Sequence, residues 1–227
     1  MSIHLTRDLE SLHQHIMSMC GVVEDVVQRA VEELGRPDVD VSKEIIDRDD
    51  EIDHWDVRIE EECLKILALH QPVAYNLRRV AAVMKIAWEL ERVADVAVNI
   101  AERAAALASV PKIHVPEKLA HMAQLALDML RLSLDAFVAQ DSRLARQVCA
   151  QDDIVDSLNR EIIDDLLAVM KNSPDLVEPA LQLFSASRHV ERVADHATNI
   201  SEDVVYLVEG EIIRHRAESW NRGLPEQ

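Results

Sequence analysis

Two stretches of this sequence place carboxylates where they could act together. Residues 91–102 read ERVADVAVNIAE and residues 191–202 read ERVADHATNISE, nine of twelve positions matching at an offset of one hundred residues. On a helix at about 100° per residue, Glu91 at 0° puts Asp95 near 40°, Asn99 near 80° and Glu102 near 20°, while Val93, Ala97 and Ile100 fall on the opposite side. Glu191, Asp195, Asn199 and Glu202 repeat the stripe. A second pair of stripes lies earlier in each half: Asp49, Asp53, Asp56 and Glu60, and in the counterpart Asp152, Asp156 and Asn159. Carboxylates four apart on one helix face repel each other, and a bound cation removes that repulsion. Oxygen-only ligands suit hard ions such as Mg²⁺, Ca²⁺, Mn²⁺ or iron. The same spacing also describes a solvated acidic face relieved by neighbouring arginines, here Arg92 and Arg192.

The elements that carry these stripes are long helices. Gly totals four and aromatics 3 %, while helix formers dominate. Apolar residues recur at three- and four-residue spacing, as in Leu5, Leu9, Leu12, Ile16 and Met19. The prolines fall where helices start or stop, and VPKIHVPE at 110–117 is the best linker in the chain. Helices are predicted near 3–34, 41–70, 72–108, 117–139, 142–171 and 175–209, with 211–227 as a loose, charged end. Short connections favour antiparallel neighbours. The repeat makes the whole a duplication of a three-helix unit. The predicted fold is therefore all-α, two tandem three-helix bundles related by a pseudo-twofold internal repeat. The first repeat spans 1–110 and the second 117–210, with a flexible tail over 211–227.

Composition narrows the function. A formal charge of −18 repels nucleic acid and anionic lipid and favours basic protein partners or cations. Cys20, Cys63 and Cys149 are far apart and odd in number, which reads as small buried hydrophobes in a reducing compartment. No apolar run reaches transmembrane length, and MSIHLTRDLE lacks a signal-peptide core, so the expected location is cytoplasmic. There is no nucleophile elbow, phosphate loop or His-Glu-x-x-His motif, and an enzyme is not expected.

Four segments in order, IIDRDDEID at 45–53, LALHQPVAYNLRRV at 67–80, LERVADVAVNIAE at 90–102 and SRHVERVADHATNISE at 187–202, resemble the PhoU family of phosphate-uptake regulators. The resemblance runs from about residue 5 to about residue 210. It implies metal sites at Glu or Asp, three residues, Asp. Here that motif falls on Asp49 and Asp53, Glu91 and Asp95, Asp152 and Asp156, and Glu191 and Asp195, each a carboxylate. The metal, whether Mg, Mn, Fe or Zn, does not carry over. The resemblance further implies negative regulation of high-affinity phosphate uptake and of phosphate-starvation signalling. It does so through contacts with the phosphate transporter ATPase subunit and a sensor histidine kinase, with the chain as a homodimer. His196, where the first repeat has Val96, reads as a polar surface residue, or else biases the two sites toward different ions.

Two other readings compete. A ferritin-like di-iron carboxylate enzyme needs two inward Glu-x-x-His motifs. Glu51 and His54 supply the spacing once, Glu117 to His121 is one residue too long, and Asp153 and Asp156 stand where the second motif belongs. A metal-free helical scaffold is the other. Arg78, Arg79, Arg188 and Arg192 either line a contact face or neutralise the acidic helices around them.

Overall fold

A computed structural model of the chain describes residues 3–214. Eight α-helices and one short 3-10 turn follow in order: α1 (Ile3–Gly35), α2 (Val39–Asp47), α3 (Asp49–His70), α4 (Ala74–Ala108), α5 (Glu117–Ala139), α6 (Ser142–Cys149), α7 (Asp152–Asn172), the turn Pro174–Leu176, and α8 (Val177–Glu209). Among the described residues there is no strand.

In the first half, α1, α3 and α4 form one three-helix bundle, with α2 leaning on α4; in the second, α5, α7 and α8 form the other, with α6 on α8. The halves join mainly through α4 and α8. These run antiparallel: Lys85 on α4 meets Asp203 on α8 at 2.7 Å, Glu89 meets His196 at 2.7 Å, and Arg103 meets Gln182 at 3.4 Å. The pairs place the pseudo-twofold crossing near Val93 and Val193, both buried. The apolar stripe read from α1 is the buried one: Leu9, Leu12, Ile16 and Met19 are at most 2 % exposed.

Two of the six predicted helices are broken, at equivalent places. The helix expected over 41–70 divides at Arg48 into α2 and α3, and the one over 142–171 divides at Ala150–Gln151 into α6 and α7. Asp38 caps α2, accepting from the backbone N–H groups of Asp40 and Val41, and Asp141 caps α6 through those of Arg143 and Leu144. The Arg48 N–H bonds back to Ile45, and its guanidinium pairs with Asp25 on α1. The restarted helices open on acids, Asp49, Asp50 and Glu51 in α3 and Asp152 and Asp153 in α7, which the positive end of a helix dipole stabilises. Asp49 and Asp152 thus stand at the first helical positions rather than in mid-helix. The helix expected from residue 72 starts at Ala74, after Gln71 turns left-handed at φ 43°.

The segment expected to be loose from 211 onward begins with packed residues. Ile213 is fully buried and Arg214 pairs with Asp203 at 3.0 Å. Positions 215–227 of that expectation lie outside the described residues.

Candidate metal centre

The fold brings the four stripes together in pairs. On α3 and α4, Asp49 feels the negative charge of Asp53 and Asp95, and Glu91 feels that of Asp95, Asp56 and Asp53. On α7 and α8, Asp195 feels that of Asp152, Glu191 and Asp156. All eight motif carboxylates therefore belong to two clusters, one in each half: Asp49, Asp53, Glu91 and Asp95, and Asp152, Asp156, Glu191 and Asp195. The opposite faces of α4 and α8 do pack, as Val93, Ala97 and Ile100 are at most 0 % exposed and Val193, Ala197 and Ile200 at most 1 %.

Several acids elsewhere meet bases: Glu24 with Arg131, Asp8 with His70, Glu62 with His15, Glu209 with Arg146, Asp203 with Lys85 and Arg214. Of the eight motif carboxylates only Glu191 has an ion pair among the described residues, with Arg188 at 3.0 Å. Arg92 and Arg192 point to solvent without an ion pair of their own. Burial, and then the neighbouring carboxylates, push the Asp49 and Glu91 carboxyls up. Burial raises Asp152 as well, against a hydrogen bond from the Thr198 hydroxyl at 3.2 Å. Asp195 rises furthest, to about 6, by burial and then by Asp152, Glu191 and Asp156, although part of the residue stays open to water.

One turn beyond Asp53 and Asp156 sit Asp56 and Asn159, equivalent positions in the two halves. In each, the Oδ1 oxygen is buried and has no hydrogen-bond partner. Buried polar atoms are almost always satisfied, and these two are among six side-chain atoms without a partner in the described residues, the others lying on Ser42, Arg103, His189 and Ser201. The donor chemistry, oxygen only and strongly negative, suits a hard ion. Among the described residues no three His, Cys, Asp or Glu side chains converge into a closed coordination set.

Several residues depart from expectation. His196 is not a surface residue: it is 8 % exposed, and its Nδ1 lies 2.7 Å from Glu89 Oε2, which Asn199 Nδ2 also reaches at 3.1 Å. The partner, Glu89, lies outside the repeat as read from sequence. Glu202 leaves its stripe, being buried with Arg214 Nε at 3.6 Å, while Glu102 is exposed beside Arg103. Glu51 and His54 face solvent, so the Glu-x-x-His spacing is not an inward metal ligand set. Arg78 neither pairs with an acid nor lines an open face; its Nε donates to the Leu207 carbonyl near the end of α8, and its guanidinium lies 6.0 Å from the Tyr75 ring. Cys20, Cys63 and Cys149 are buried and free.

Comparison with known proteins gives the context. The family model for the PhoU domain matches residues 16–104 and again 119–204. A phosphate-specific transport system accessory protein PhoU homolog from Aquifex aeolicus is 36 % identical over 93 % of this chain and 96 % of its own. One from Pseudomonas aeruginosa is 35 % identical over 92 % and 86 %. The crystal structure of PhoU from Pseudomonas aeruginosa superposes with a TM-score of 0.88 at 33 % identity, covering 91 % of this chain and 99 % of that one. The phosphate transport system regulatory protein PhoU from Streptococcus pneumoniae follows at 0.84 and 27 % identity, covering 92 % and 98 %.

Proposed function

The chain belongs to the PhoU family, and from that premise we propose that it is a non-enzymatic accessory protein of phosphate transport that binds metal ions at its two carboxylate clusters. In this reading it works in the cytoplasm as a homodimer. It lowers high-affinity phosphate uptake and starvation signalling by docking on the transporter's ATPase subunit and on a sensor histidine kinase. Among the described residues no helix is long and apolar enough to cross a membrane, so access to the transporter would come through such partners.

The observation that carries the metal part is the unpaired state of the clusters. Seven of the eight motif carboxylates have no ion pair among the described residues, and in each half they stand within one another's field. Asp49, Asp53, Glu91 and Asp95 would hold ions in the first half, and Asp152, Asp156, Glu191 and Asp195 in the second. A bound cation would supply charge neutralisation, fixing α3 against α4 and α7 against α8. Asp49 and Asp152 are the first residues of α3 and α7, so each half opens its stripe at a helix start.

The regulatory part follows from the family and from charge. Two rigid bundles offer long helical faces that dock with little reorganisation. A net charge of −18 speeds encounter with a basic surface and makes association weaken as salt rises. The test is retention of the transporter ATPase and the sensor kinase by this protein at low and high salt, with deletion of its gene in the native host. Salt-sensitive retention, with phosphate-starvation genes left on in phosphate-rich medium, supports the reading. Normal gene regulation with neither partner retained at low salt overturns it.

A further inference from the structure

A cavity of about 580 Å³ lies where the first half hands over to the second. The end of α1, the corner before α2, the end of α4 and the linker after it border this space, whose volume is within the range of small-molecule sites. Apolar side chains line it, among them Leu34, Leu107, Val110, Ile113 and Val115. Ile113 and Val115 pack against the core, which holds the linker wall in place. The corner is held by Glu33, whose carboxylate accepts the Asp38 N–H at 2.7 Å. At the α1 end the space is unfilled, since a Cβ on Gly35 would meet no neighbouring atom within 4 Å.

Three charged side chains border the same cavity, Arg36, Lys112 and Asp38. Asp38 is already engaged, since its carboxylate accepts the backbone N–H groups of Asp40 and Val41 as the cap of α2. Arg36 and Lys112 have no ion pair among the described residues. In a chain with 42 acids against 24 Lys and Arg, two cations left over at one apolar cavity point to an anion supplied from outside. The negative ends of α1 and α4 also attract these cations, but that attraction requires no apolar cavity beside them.

We propose that this cavity binds a small anionic amphiphile. The apolar body lies against Leu34, Leu107 and Ile113, and the anionic head is neutralised by Arg36 and Lys112. A molecule held there presses on the linker that joins the two halves and restrains it. The proposal stands apart from the metal reading, and neither outcome decides the other.

The test uses octanoate as the probe and octanol as the same chain without the charge. Each is titrated calorimetrically into the full-length protein, below the micellar concentration of octanoate. Two variants are compared, Arg36→Gln with Lys112→Gln, and Gly35→Leu, which fills the cavity from a helical position with room for a side chain. Circular dichroism checks that each variant folds. Octanoate should bind roughly tenfold more tightly than octanol, because two exposed ion pairs together are worth about that factor. The double charge variant should bring octanoate down to the octanol level, and Gly35→Leu should abolish binding of both. Amide exchange over residues 112–115 should slow when octanoate is bound. No octanoate binding to the unsubstituted chain, equal affinity for octanol, or octanoate affinity unmoved in both variants overturns the proposal. A charge variant that melts lower yet binds octanoate as before assigns the two cations to the helix ends alone and also overturns it. Where Gly35→Leu prevents folding, the charge variant and the octanol comparison decide.

Discussion

His196 on α8 and Glu89 on α4 meet at 2.7 Å across the seam between the halves, both largely buried, and the pseudo-twofold copy of this pair is absent. Its equivalent positions are Val96 and His189, which cannot form it. The His189 Nδ1 is left buried with no partner. The seam is therefore symmetric in its apolar packing and unequal in its polar contacts, with Lys85–Asp203 and Glu89–His196 on one side of the crossing and Arg103–Gln182 on the other.

Removing one partner should cost more than the pair contributes, because the other stays buried. We expect His196→Val to lower stability by about 2–4 kcal/mol in urea unfolding. Burial pushes the Glu89 carboxyl up, but hydrogen bonds from His196 and Asn199, with the charges of His196 and Arg92, outweigh it and hold it below the usual range. A depressed carboxyl contributes stability above its unfolded pKa, and that part is lost as pH falls through the folded value. The loss caused by His196→Val should therefore be large at neutral pH and shrink below about pH 4. A loss that stays constant from neutral pH to pH 3 contradicts this.

Asp195 behaves in the opposite sense. Its carboxyl is raised to about 6, by burial first and then by Asp152, Glu191 and Asp156. A raised group contributes stability below its unfolded pKa, near 3.8, and loses it as pH rises through about 6. Metal-free protein should thus lose melting temperature between about pH 4 and pH 7. Asp195→Asn should recover roughly 2 °C at pH 7 after allowance for solvent screening, and nothing at pH 4. Scanning calorimetry with chelator present checks it.

The three thiols should be inert in the native state. Burial pushes Cys20, Cys63 and Cys149 each up to about 12. Thiolate is the reactive form, so a disulfide reagent at pH 8 should modify none of them until the chain opens. Melting should not depend on reductant. Rapid labelling of folded protein contradicts the packing described.

Much of this was legible in the sequence where chemistry repeats. The match of 91–102 to 191–202 located α4 and α8, their packed faces and half of each cluster, because identical polar residues in register are rarely accidental on amphipathic helices. The helix breaks were not legible. Neither Arg48 nor Ala150–Gln151 carries the Pro or Gly that marks a stop, and apolar periodicity runs through both. The available signal was the acid run Asp49-Asp50-Glu51 and Asp152-Asp153, which suits a helix start. His196 was misplaced although the repeat held the clue. Its counterpart Val96 is fully buried, and equivalent positions share an environment. Glu89 could not be found from the repeat at all, since His189 answers it and the contact depends on how α4 crosses α8.

The central claim, that the two carboxylate clusters are metal sites, is tested most directly by metal content. Protein purified without chelator is analysed for elements beside the variant Glu91→Gln, Asp95→Asn, Glu191→Gln, Asp195→Asn. Substituting four of the eight motif carboxylates across both halves removes the charge that would hold the ions, while the apolar faces of α4 and α8 are untouched. Bound metal in the unsubstituted protein, lost in a variant that remains helical, is the result expected. Equal metal content in the two, or none in either, contradicts the account.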